Sequence, residues 1–155
     1  MTNAPRPHAP PAQVPAAAPS GPTQLTRGGR SLLVRGLIAV GIATAVNLVI
    51  LGAAAAAGAS MLVAQDGSEI AVGLLPVLVA TFAPLALATV VAWLLAKRWP
   101  RTTTILAWVG LVVAAASIIA PLTGALDTAT GIALALMHLV AGASWFVALV
   151  VHRRG

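Results

Sequence analysis

AVGLLPVLVATFAPLALATVVAWLLAKRWPR, residues 71–101, is the stretch that decides the fold. From Ala71 to Ala96 it holds no charged side chain; Lys97, Arg98 and Arg101 then cluster around Trp99. About 20 apolar residues in helical conformation cross a hydrocarbon layer about 30 Å thick. The stretch therefore reads as a transmembrane helix ending at a basic, indole-bearing boundary. It lacks the period-2 alternation of a membrane barrel strand.

Three further apolar runs share this character, at about Gly36 to Gly58, Thr104 to Ala120 and Thr128 to Val151. None has Asp, Glu, Lys or Arg in its interior. The composition of Met61-Leu62-Val63-Ala64 is compatible with a continuation of the first run, and Pro121 is expected to stop the third. Only 8% of the 155 residues are charged and 59% are hydrophobic. A soluble domain carries about 25% charged residues to cover its surface. The predicted fold is all-α: an integral membrane bundle of four transmembrane helices over residues 34–155.

Residues 1–33 read differently. They hold Pro5, Pro7, Pro10, Pro11, Pro15, Pro19 and Pro22, set among Ala, Ser, Thr and Gly. Such a segment buries too little apolar surface to offset its ordering entropy, so a disordered Pro/Ala-rich tail is expected.

Charge then orients the bundle. Arg6, Arg27, Arg30 and Arg35 precede the first span, Lys97, Arg98 and Arg101 link the second to the third, and Arg153 and Arg154 follow the fourth. The acids Asp66, Glu69 and Asp127 all fall in the opposite links. By the positive-inside rule both termini are expected in the cytoplasm, with the bundle in the plasma membrane. The same rule explains the basic balance better than a nucleic-acid partner does. An uncleaved first span is preferred over a signal peptide, despite the small residues of Ala53 to Ser60, because its apolar stretch exceeds an ordinary signal core.

Trp93, Trp99, Trp108 and Trp145 are expected as interfacial anchors. Gly41 and Ala45, Gly52 and Ala56, Gly110 and Ala114, and the series Ala88, Ala92, Ala96 place small residues four apart. That spacing lets helix backbones approach closely in lipid. Packing within the chain is the preferred use, a dimer face the alternative. Pro84 is expected to kink the second span near Ala80.

Few residues can carry chemistry. The absence of Cys removes disulfide and thiolate chemistry. No set of three or four metal ligands, no facing histidine pair for haem and no nucleophile motif is present, so no catalytic, metal or cofactor site is expected. The polar side chains inside the spans include Asn47, Thr81, Ser117, His138 and Ser144. Counting 1.5 Å per residue, Asn47 lies about 16 Å from one edge, and His138 and Thr81 about 13 and 15 Å from the other. With Pro84 they share one midplane layer. Two readings compete: a polar site built on His138, Asn47, Thr81 and Pro84, or interhelical hydrogen-bond glue. Ser117 and Ser144 are weaker candidates.

Ser117-Ile-Ile-Ala-Pro121-Leu122, together with Met137-His138-Leu139 in the last span, resembles a family of small, uncharacterised four-span membrane proteins common in actinobacteria. The resemblance covers about residues 35 to 151. It implies the four-span architecture and no activity. A non-enzymatic structural or accessory subunit, partnered by lipid and by a second copy or another membrane protein, is the leading expectation. A small transporter or channel-like protein using the midplane layer is the alternative.

Overall fold

Without water, a helix is the open-ended way for a chain to satisfy its own backbone, and this chain uses it four times. The computed structural model describes residues 23–151, with side chains from residue 32 to 150. Helix α1 runs Thr23–Ala56, strands β1 and β2 take Leu62–Gln65 and Ser68–Ala71, and α2 spans Leu74–Arg98. Helices α3 (Thr102–Ala116) and α4 (Ile119–Gly124) form one broken rod, and α5 covers Thr128–Val151. Four segments are long and apolar enough to cross a membrane: Leu32–Ala56, Leu74–Arg98, Thr102–Gly124 and Thr128–Val150. The integral membrane four-helix fold is therefore present. The tail expected over residues 1–33 lies mostly outside the described residues, and α1 takes in helical backbone from Thr23.

Helices α1 and α5 form the central pair, α2 flanks α1, and α3 flanks α5. Glycines set the closest approaches. A methyl group at Gly142 of α5 would overlap Ala114 of α3, one at Gly110 would overlap the Trp145 ring, and one at Gly36 would overlap Thr89. Large apolar side chains such as Val49, Leu75, Leu87, Val112 and Ile119 face outward, the arrangement that lipid favours. Trp99 and Trp108 are exposed, and Lys97 Nζ lies 3.5 Å from the centre of the Trp93 ring.

Four expectations need correction. Span one does not continue through Met61–Ala64. Gly58 adopts φ +87 and closes α1, Ala59 N–H donating to Ala54 O and Gly58 N–H to Ala55 O, the six-to-one and five-to-two pattern that ends helices. The following residues pair as an antiparallel hairpin instead, turning at Asp66 (φ 51) and Gly67 (φ 77) between Gln65 and Ser68. Positive φ at both turn residues is the geometry that Asp-Gly favours.

Secondly, Pro121 does not stop span three. It lies inside α4, and the break falls at Ser117 and Ile118. A proline lacks the N–H that residue i−4 requires, and four back from 121 is Ser117. Thirdly, Trp145 is no interfacial anchor: it is 6% exposed and its indole N–H donates to Thr89 Oγ1 at 3.2 Å. Fourthly, only part of the small-residue pattern packs within the chain. Ala88, Ala92, Ala96, Gly110 and Ala114 do. Gly41, Ala45, Gly52 and Ala56 face outward, and a Cβ on either glycine would meet nothing within 4 Å.

The residues leading into the hairpin are tied to the start of α5 around the Asp127 carboxylate. Asp127 Oδ1 accepts Thr130 N–H at 2.8 Å, the N-cap bond of α5. Its Oδ2 accepts the Thr130 hydroxyl at 2.6 Å, Ser60 N–H at 3.1 Å, and the Ser60 hydroxyl. Thr130 Oγ1 in turn accepts Met61 N–H at 2.9 Å. The Ser60 hydroxyl first, then the Thr130 hydroxyl and N–H, hold the Asp127 carboxyl below the usual carboxylate range. With its folded value lowered, the stabilisation is complete above the unfolded value of about 3.9 and is lost as pH falls through the folded value. Asp127→Ala is expected to accelerate amide exchange at Ser60 and Met61 at neutral pH. In the wild type, protection of these amides should be level from pH 8 down to about 5.

Candidate functional site

Two apolar clusters fill the bundle at different depths. Toward the basic end Leu32, Ala92, Ala107, Trp145 and Leu149 pack together; toward the hairpin end Leu51, Met61, Val77, Leu134 and Met137 do so. Between them lies Asn47, 2% exposed, with its Nδ2 donating to Thr81 Oγ1 at 3.0 Å and to the Met137 carbonyl at 3.3 Å. The Met137 carbonyl can only accept, so it fixes which way the amide faces. Both Nδ2 hydrogens are then committed. Asn47 Oδ1 is left buried with no hydrogen-bond partner, a condition worth about 1–3 kcal/mol against the fold.

Asn47 borders a cavity of about 740 Å³. It occupies the gap between α2 and the α3–α4 rod, which are joined by a short link at the basic end yet touch sparsely along their length. Central helices α1 and α5 form its floor, and hairpin residues such as Val63 and Ile70 border its end away from the basic links. Thr81, Pro84 and His138 line it together with Asn47. The four residues of the midplane layer thus line one cavity, and among them Asn47 and Thr81 are in direct contact. Ser117 also lines it, whereas Ser144 does not.

Local sequence explains the lining. His138 Nδ1 lies 2.8 Å from the Leu134 carbonyl on its own helix. A carbonyl only accepts, so Nδ1 carries a proton, and in the singly protonated ring Nε2 is a bare acceptor. The Ser117 hydroxyl donates to the Val113 carbonyl at 2.7 Å rather than to His138. Helix α2 runs unbroken through Pro84, which denies the Ala80 carbonyl its helical donor. Pro121 does the same to Ser117. Ala80, Pro84, Ser117 and Pro121 all border the cavity, in keeping with freed backbone being tolerated at membrane depth where it lines a cavity. The freed Ala80 carbonyl follows from its i−4 relation to Pro84, whereas the same relation at Pro121, and the hairpin's part in the lining, were missed.

Four apolar helices, a short extramembrane hairpin and an intramembrane cavity define a small multi-pass membrane protein. Residues 27–155 match the model of DUF6069, a family of unknown function, and the chain belongs to that family. No curated protein and no solved structure matches the chain.

Proposed function

We propose that this chain is a non-enzymatic membrane protein that holds a small, mainly apolar molecule in its intramembrane cavity. The observation that carries the reading is a cavity of about 740 Å³ whose mainly apolar lining also holds Asn47, Thr81 and His138. Pockets for small ligands fall at about 300–1,000 Å³ and are mostly apolar with a few polar groups, as here. In this reading the bundle lies in the plasma membrane with the basic end and both termini cytoplasmic. The hairpin then borders the cavity on the outer side, and the site serves uptake, export or storage of its occupant.

A second reading, the accessory subunit, is favoured by one observation: Gly41 and Gly52 face outward from α1 with open space beside them. Purification in mild detergent followed by native mass spectrometry separates the two. The binding reading expects a discrete non-protein mass on the chain at near-unit occupancy. A second protein in fixed ratio, with no small-molecule mass, would favour the accessory reading instead.

A further inference from the structure

Building on the binding reading above, we propose that the cavity recognises a neutral hydroxyl headgroup, an alcohol or phenol carried on an apolar body. Its lining residues present several bare acceptors, with donors from Thr81 and from the Gln65 amide at the hairpin. His138 offers Nε2 once Nδ1 is engaged by Leu134. The carbonyls of Ala80 and Ser117 have lost their helical donors to Pro84 and Pro121. Thr81, whose Oγ1 accepts from Asn47, supplies a hydroxyl proton.

That inventory selects by elimination. A carboxylate or phosphate brings a negative charge to a cavity with no Lys or Arg among its described lining residues, so it is rejected. An ammonium group brings donors, but Asp66, Glu69 and Asp127 all lie outside the wall, leaving a buried charge uncompensated. A ketone or ether offers no proton to His138 or to the freed carbonyls. A hydroxyl donates one hydrogen bond and accepts another, matching the bare acceptors and the Thr81 proton together. The remaining apolar lining takes the body of the molecule.

The test uses a matched pair of probes, 4-octylphenol and its methyl ether 4-octylanisole, titrated calorimetrically into the full chain in lipid nanodiscs. Empty nanodiscs supply the partition baseline. The phenol is expected to bind more tightly by about tenfold, roughly the worth of one hydrogen bond to a buried acceptor. His138→Phe is the clean variant, because the Nδ1 bond lies within α5 and no interhelical hydrogen bond to His138 is present among the described residues. Pro84→Ala is a second, restoring a donor to the Ala80 carbonyl without touching a polar side chain. Both should shrink the preference for the phenol. Equal affinities, a preference for the ether, or a phenol preference unchanged in both variants would overturn the hydroxyl inference while leaving cavity binding intact. Binding of neither probe to folded protein would overturn both.

Discussion

Gly142→Leu is expected to destabilise the bundle by about 1–3 kcal/mol, as overpacking of a close-packed interior does. Gly142 is buried, and even a methyl group there would overlap the Cβ of Ala114. In lipid no hydrophobic force holds α3 against α5; close packing does. The same seam carries Gly110 against Trp145, whose indole N–H reaches on to Thr89 of α2. Wedging α3 away therefore disturbs the Trp145–Thr89 bond that links α5 to α2. The measurement is the thermal transition of the purified protein in detergent, beside its abundance in membranes. Gly41→Leu is the control, because its side chain would enter open space. That variant should stay within about 0.5 kcal/mol of the wild type.

The spans were legible because each is a single long signal: a charge-free apolar run bounded by basic residues, turn residues or acids. Their ends were less so, for local reasons. Met61-Leu62-Val63-Ala64 is apolar enough to pass for helix, and four residues cannot show a period. The turn residues Asp66-Gly67 between two short apolar stretches were the overlooked evidence for a hairpin. Pro121 was taken as a stop where it stands, whereas the hydrogen bond it removes belongs to Ser117. Trp145 looked like its three fellow indoles, and only the helix arrangement shows that it points inward, to Thr89.

The site divides in the same way. Depth along each span placed Asn47, Thr81, Pro84 and His138 in one layer, since rise per residue is fixed. Whether they meet depends on which helices are neighbours and how each is rotated, and four nearly uniform apolar helices carry little of that information. The outward face of Gly41 and Gly52 was invisible for the same reason. Spacing of small residues reveals a surface that permits close approach but not which side it is on.

Ala80→Trp is expected to remove the occupant while sparing the fold. Residue 80 borders the cavity on α2, beside Thr81 and one turn before Pro84, so an indole there occupies space the ligand needs. The substitution leaves the Asn47 bonds to Thr81 and Met137 in place, and Ala120→Trp blocks the same cavity from α4. The decisive measurement is native mass spectrometry of wild type and both blocked variants released from membranes under one protocol. The account expects a discrete non-protein mass on the wild type, and its loss by at least about tenfold in both variants with their thermal transitions retained. An equal adduct on all three proteins, or none on the wild type, would contradict the claim that this cavity is a binding site.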